Sequence, residues 1–406
     1  MIMTSATSAT IDTQETFPAN DCPCPVCDRD VCVDVFEAQG IPIHVGICGN
    51  TPDEARSLPT GDVVLSYCRG CGFLHNRLFD PAKLYYHPGY EVALHHSPTF
   101  RKFMEQVTTR LVSRYDLRNK RILEIGCGNA WFLRTLAELG DNDCVGYDPT
   151  LPTEGHEQLG NGSVELVRDY FGPQYSADAD FICCLSVFEN IPQPVQFLRV
   201  LREQIGELTP GIYFEVFNAF QAIAEKETWS INYEQVNWFS RQSLANAFLQ
   251  AGFHVPDSGE CYQGGQYVFV DASPSGTERG SLEMTSEQIP SDIREFAQHH
   301  RQQMREWTQR MTEYRQSGHR VVVWGAGGKG ISFLNSLPTE GAVSYVVDIN
   351  PDKHGTFIPG SAQEIVGPEY LREYHPETII LMNGLYESEI RDQLRDLNID
   401  CELLIA

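Results

Sequence analysis

Twice along this chain an apolar run stops at closely spaced glycines, passes into a helical pattern, and is followed by a second apolar run that ends in aspartate. The first instance runs from Arg121-Ile-Leu-Glu-Ile-Gly-Cys-Gly128 to Val145-Gly-Tyr-Asp148, the second from Val321-Val-Val-Trp-Gly-Ala-Gly-Gly-Lys-Gly330 to Val347-Asp348. A strand that exits through glycine, beside a strand that ends in a carboxylate, is a building unit of parallel α/β sheets. Around the first unit, apolar runs at 122–125, 181–185, 212–216 and 267–270 alternate with helical patterns at 131–139, 195–205 and 244–248. Around the second, strands are expected at 321–324, 344–347 and 378–381 and helices at 330–337 and 387–397. The fold class is therefore α/β, with two such units in one chain.

The remaining segments fall around these units. Residues 1–20 are rich in Ser, Thr and Ala without periodicity and read as a disordered tail. Residues 21–92 are dense in Cys, Pro, Gly and turn residues, with short apolar pieces such as Val63-Val-Leu65, and predict small strands held by something other than a large core. Phe100, Phe103, Met104, Val107, Leu111 and Val112 then repeat at helical spacing and lead into the first α/β unit, 93–272. A linker and a polar helix through Ile293, Phe296, Met304, Trp307 and Met311 occupy 273–316, and the second unit occupies 317–406. Lys and Arg number 30 against 55 Asp and Glu, so the net charge is 30 − 55 = −25, which disfavours nucleic acid and anionic membrane as partners. No apolar run approaches the roughly 18–20 residues a membrane span needs, and a cytoplasmic location is expected.

Cys24-Pro-Val-Cys27 and Cys68-Arg-Gly-Cys71 are two C-x-x-C knuckles separated by 40 residues. Four thiolates surround zinc tetrahedrally and leave no open position, so the expectation is a structural zinc site in which Cys22, Cys32 and Cys48 are the competing sulfurs.

The first glycine turn reads E-x-G-x-G in place of G-x-G-x-x-G. That change favours a ligand without a pyrophosphate, S-adenosylmethionine, over a dinucleotide. Gly126 and Gly128 let the backbone approach the ligand, Glu124 orders the loop around a cationic cofactor, and Asp148 accepts the ribose hydroxyls. Asp169 is placed to meet the adenine amine, and Leu185 at the end of the run 181–185 completes the cofactor set.

On these residues, and on Ser186-Val-Phe-Glu-Asn-Ile-Pro-Gln-Pro194, the sequence resembles class I S-adenosylmethionine-dependent methyltransferases. The resemblance extends over nearly the whole chain to three-part sugar C-methyltransferases, which join an N-terminal zinc-binding module, a class I Rossmann-like core and a C-terminal Rossmann-like domain. It is carried further by Leu84-Tyr-Tyr86, Tyr90-Glu-Val-Ala-Leu-His-His-Ser-Pro-Thr-Phe100, the loop 324–330, Pro351-Asp-Lys353, Gly355 and Pro359-Gly360. It implies a small-molecule acceptor, a nucleotide-linked deoxy-keto-sugar, methylated on carbon; the expected assembly is a monomer or homodimer.

The strip Ile231-Asn-Tyr-Glu-Gln-Val-Asn-Trp-Phe-Ser240 departs from the family pattern, because Gln235 stands where a His is usual and Asn190 replaces a second His. Gln takes no proton at neutral pH, so the base must be sought elsewhere. Glu234 leads, followed by Tyr233 and His96, with Tyr90 and His95 in the N-terminal segment that the resemblance places over the pocket. Asn190 and Gln235 remain as acceptor-binding candidates. The loop 325–330 satisfies G-x-G-x-x-G and taken alone predicts a dinucleotide, whereas the resemblance implies a cofactor-free companion enclosing the acceptor. Lys329 and Lys353, two of few lysines in an acidic chain, are the candidates for a substrate diphosphate. Three other readings stay open: methylation on oxygen or nitrogen, a non-catalytic cofactor-binding assembly protein, and an NAD-dependent oxidoreductase using the second loop.

Overall fold

The computed structural model describes residues 17, 19–86, 88, 90, 97–262, 264–274 and 289–406, which form three sheets. The first opens with β1 (Cys32–Pro42), β2 (Thr60–Cys68) and β3 (Leu74–Asn76), paired antiparallel in that order. The second contains β4 (Arg121–Ile125), β5 (Asp143–Tyr147), β6 (Gly155–Leu159), β7 (Gly162–Val167), β8 (Phe181–Leu185) and β9 (Gly211–Phe217). The chain then returns to the first sheet, where β10 (Asn237–Trp238) pairs with β3, before β11 (Phe253–Cys261) and β12 (Tyr267–Pro274) complete the second. The third sheet is wholly parallel, from β13 (Val321–Trp324), β14 (Val343–Val347), β15 (Glu364–Val366), β16 (Thr378–Leu381) and β17 (Glu402–Ile405), in the order β15-β14-β13-β16-β17.

The second sheet has the order β11-β12-β9-β8-β4-β5-β7-β6. Strands β7, β5, β4, β8 and β9 run parallel, and β12 inserts antiparallel between β9 and β11. This is the class I Rossmann-like α/β fold expected from the sequence. Its central strands are short and almost wholly apolar because both faces are covered, as Ile122, Leu123, Ile182, Cys183 and Phe214 show, each at most 1% exposed. The helix Pro98–Tyr115 starts where Ser97 accepts the Phe100 N–H and Pro98 fixes the first turn, and it buries Phe103, Met104, Val107 and Leu111 against the sheet. One element was not anticipated. Between β5 and β7 the chain forms the β6–β7 hairpin, turning at Gly160-Asn161, with Gly160 at φ +65°.

The N-terminal region also departs from the expected picture of small strands with little core. β1 and β2 have 11 and 9 residues, and their buried Val33, Val35, Val63 and Leu65 share a cluster with Ile223, Trp238, Ile293 and Phe296 from later in the chain. The helix Ser291–Ser317 joins the parts, sending Ile293 and Phe296 into that cluster and Trp307 and Met311 into the core of the third sheet. Polar contacts add to this. Gly49 and Phe357 exchange backbone hydrogen bonds at 2.9 and 2.8 Å, and Ser97 and Thr99 both donate to Glu389. No helix among the described residues is long and apolar enough to cross a membrane.

Candidate functional site

The four knuckle sulfurs converge. Cys24 and Cys71 lie 3.6 Å apart, Cys27 and Cys68 also 3.6 Å, and all four Sγ atoms fall within 4.8 Å of one another. A tetrahedron with metal–sulfur bonds of about 2.3 Å has edges of about 3.8 Å, so the set fits a thiolate-bound tetrahedral ion. The N–H groups of Val26 and Gly70 point at the sulfurs of Cys24 and Cys68 at 3.4 and 3.3 Å, donors suited to thiolate charge. Of the competing sulfurs, Cys32 lies on β1 opposite Cys68, Cys22 approaches His75 at 4.0 Å, and Cys48 faces Lys353 and Thr356 elsewhere.

The first glycine turn leaves β4 with Gly126 at φ +73°, where an added Cβ would come within 2.5 Å of Val187. Only glycine allows this close approach. Asp148, at the exit of β5, accepts the Gly128 N–H at 2.8 Å through one oxygen and the Thr150 N–H and hydroxyl at 2.7 and 2.5 Å through the other. Glu124 is 3% exposed, and its Oε2 has no hydrogen-bond partner among the described residues. Burial, reinforced by the charge of Asp148, pushes its carboxyl up to about 8. A buried carboxyl with an unused oxygen beside a glycine turn is a fitting neighbour for a ligand cation, which would draw it back into the charged form. Asp169 follows β7 and is held by the Tyr175 hydroxyl at 2.7 Å, which lowers its carboxyl. Leu185 ends β8 opposite Glu215 of β9.

The catalytic candidates separate. Glu234 is 1% exposed and accepts three hydrogen bonds, from the Val45 N–H at 2.5 Å, the Tyr90 hydroxyl at 2.6 Å and the Tyr86 hydroxyl at 3.2 Å. Burial raises its carboxyl to about 7 against the lowering effect of those donors. Tyr90 also lies near Asp148 electrostatically, and its ring closes on Gly46, where a Cβ would meet it at 2.7 Å. Tyr233 points the other way. Its hydroxyl accepts the Asp80 N–H at 2.9 Å, and its ring stacks on Phe79, so it supports the strip from behind. Gln235 is buried, with Nε2 at 3.5 Å from the Asn237 carbonyl, and Asn190 sits half-buried in the turn Phe188–Asn190. His95 and His96 lie outside the described residues.

The second glycine loop is engaged by its own protein. Asp348 accepts the Ala326 N–H at 2.8 Å, Lys353 donates to the Ala326 carbonyl at 3.0 Å, and Gly328 faces Val45 and the Asn232 amide. Lys353, 7% exposed, is thus an internal prop, and Lys329 is paired with Glu227 at 2.7 Å. A diphosphate would compete with Glu227 for Lys329. The position of this loop beside Val45, whose N–H holds Glu234, brings the third sheet to the same site. Reading the sequence did not single out Val45 or Tyr86 as contacts of Glu234, nor Glu189, a carboxyl buried beside Phe217 with one unpartnered oxygen. Tyr86 lay within a quoted motif, whereas Val45 contributes through its backbone and leaves no signal in residue type.

Comparison with known proteins bears on this arrangement. Residues 96–257 match the family model of a methyltransferase domain, and residues 283–402 that of a C-methyltransferase C-terminal domain. The C-methyltransferase NovU of Streptomyces niveus is 24% identical over 398 residues, covering 92% of both chains. A tRNA U34 carboxymethyltransferase of Campylobacter hominis is 30% identical over 97 residues, 22% of this chain and 34% of that one. Among solved structures, the magnesium protoporphyrin IX methyltransferase of Synechocystis with bound S-adenosylhomocysteine aligns at 13% identity and TM-score 0.34, over 46% of this chain and 89% of that one.

Glu124→Gln tests the cation fit. The substitution should weaken S-adenosylmethionine by about 10- to 100-fold, the range of a hydrogen bond to a charged group, and S-adenosylhomocysteine, which lacks the sulfonium, by less. Calorimetric titration of both ligands measures this, and equal losses would remove Glu124 from the role. Because the Glu124 carboxyl is raised above its unfolded value, its stabilising proton is fully held below about pH 4.5 and lost as pH rises through about 8. The ligand-free melting temperature should therefore fall over that window, and fall less in Glu124→Gln.

Proposed function

We propose that this chain, an S-adenosylmethionine-dependent methyltransferase, methylates carbon beside the ketone of a nucleotide-linked deoxy-keto-sugar, with Glu234 receiving the proton that carbon gives up. The observation that carries the reading is the Glu234 carboxyl, enclosed by Val45, Tyr86 and Tyr90 where the loop after β13 meets Val45. The whole-length similarity to a C-methyltransferase and the match of residues 283–402 support carbon as the methylated atom. A net charge of −25 counts against tRNA, the substrate named for the shorter relative.

The bound cofactor supplies an electrophilic methyl group. The chain's task is to make the acceptor carbon a nucleophile. A C–H bond next to the ketone breaks, its electron pair delocalises onto the ketone oxygen as an enolate, and the proton passes to the Glu234 carboxylate. The enolate carbon so formed would be the nucleophile for the methyl the cofactor supplies, the carbon–sulfur pair staying on sulfur. A carboxyl held at about 7 is a stronger base than an exposed one, while Tyr86 and Tyr90 fix its direction. Glu124, Gly126, Gly128, Asp148, Asp169 and Leu185 form the proposed cofactor set.

The same reading assigns zinc to Cys24, Cys27, Cys68 and Cys71 as a structural ion. Elemental analysis should give one zinc per chain, and chelation should lower the melting temperature and release the first sheet; a metal-free protein of unchanged stability would refute the assignment. For catalysis, Glu234→Gln should lower turnover by at least about 100-fold, within the span typical of general-base loss, with cofactor affinity unchanged. Wild-type turnover should rise with pH through about 7 as Glu234 ionises. Turnover at the wild-type rate in Glu234→Gln would eliminate the proposed base, and product NMR fixes which atom carries the methyl.

A further inference from the structure

The turn Phe188–Asn190 carries a buried carboxyl that the chemistry above does not use. Glu189 is 6% exposed; its Oε1 accepts the Phe217 N–H at 3.2 Å, and its Oε2 has no hydrogen-bond partner among the described residues. The turn follows β8, and Phe217 ends β9, so the free oxygen lies at the carboxyl ends of two central parallel strands, where ligands bind in open α/β sheets. The turn is rigid as well. The Asn237 amide donates to the Phe188 and Ile191 carbonyls at 3.2 and 2.7 Å, tying it to the strip that carries Glu234.

Two further observations orient the group. Tyr86, which donates to Glu234, also feels the charge of Glu189. Among the described residues no basic side chain acts on Glu189; burial raises it to about 7, and two backbone N–H groups and nearby Glu215 are its other influences. A buried acceptor atom without a donor is costly, and such atoms persist where a ligand or water completes them. Glu124, at the cofactor turn, is already placed for the cofactor's cation.

We infer that Glu189 is an acceptor-binding residue whose free oxygen receives a hydrogen bond from an amino or hydroxyl substituent on a carbon that flanks the ketone. This rests on the nucleotide-sugar reading of the acceptor and adds to it the substituent the sugar must carry. Both substituents offer the same chemistry, a short polar donor aimed at a carboxyl. An analogue with hydrogen there leaves the oxygen unpaired and is disfavoured.

The test measures binding and needs no turnover. The full chain, saturated with S-adenosylhomocysteine, is titrated calorimetrically with thymidine-diphosphate-linked 4-keto-6-deoxyhexoses bearing an amino group, a hydroxyl or hydrogen at carbon 3. At least one donor-bearing sugar should bind about 10- to 100-fold more tightly than the hydrogen analogue, and whichever binds tighter identifies the substituent. Glu189→Gln keeps an oxygen for the Phe217 N–H and should shrink that preference to within about threefold, while Glu189→Asp should restore part of it. S-adenosylhomocysteine affinity should stay unchanged in both variants, which also reports that they fold. Equal wild-type affinity for the three sugars overturns the inference and leaves the nucleotide-sugar reading standing. So does a preference that persists in Glu189→Gln, or a loss confined to S-adenosylhomocysteine. If the wild type binds the cofactor product but none of the sugars, the acceptor reading fails and the inference falls with it.

Discussion

Glu234 can be buried only because donors from a distant part of the chain reach it. Val45 is 189 residues away in sequence, Tyr86 is 148 and Tyr90 is 144. Removing a carboxylate from water costs several kcal/mol, and each hydrogen bond to a charged group returns about 1.5–3 kcal/mol. Three such bonds offset only part of the burial, which is why the carboxyl stays raised, at about 7, and without them would be raised further. That balance requires the first sheet, the strip after β9 and the loop after β13 to keep fixed positions relative to one another. The helix Ser291–Ser317, the β3–β10 pairing and the Gly49–Phe357 bridge hold them there.

β2 links the sulfur cluster to this site. Its last residue, Cys68, is one of the four converging thiols, while Gly61 near its start packs against the Tyr233 ring with no room for a Cβ. Nine residues at about 3.3 Å each make a strut of about 30 Å. An ion that fixed one end would therefore set the register in which the other end supports Tyr233, and through it the neighbouring Glu234. On this geometry an ion held by the four sulfurs would act on the Glu234 site by position alone. Its four sulfurs would complete a tetrahedron and leave no place for a substrate.

The central sheets were legible because their strands announce themselves twice, as apolar runs and as glycine exits. β4, β8 and β13 fall on the expected runs, and Asp148 and Asp348 close the neighbouring strands as read. The β6–β7 hairpin has a short-range signal of its own in Gly160-Asn161, a turn pair between its two strands. β10 carried none, since two residues cannot show a period. The burial of Lys353 was hidden for another reason: an ammonium can be buried where a loop carbonyl waits for it, here Ala326, and a carbonyl has no residue type. The same holds for Val45 and Glu234. Sequence names the carboxyl, but only the fold shows which backbone donors reach it and which oxygen, as in Glu189, is left without one.

The two amides in this site have an electrostatic consequence of their own. An imidazolium at 235 or 190, where the resembled pattern has His, would favour the ionised form of nearby carboxyls and hold Glu234 and Glu189 low. Gln235 and Asn190 are neutral at every pH and exert no such pull. Both carboxyls are accordingly raised to about 7 by burial, and Glu124 to about 8. A site that loses its imidazoles in this way does not lose its capacity to accept a proton near neutral pH. The capacity passes to the carboxyls, because at positions 235 and 190 the amides place no cation beside them to make them weak bases.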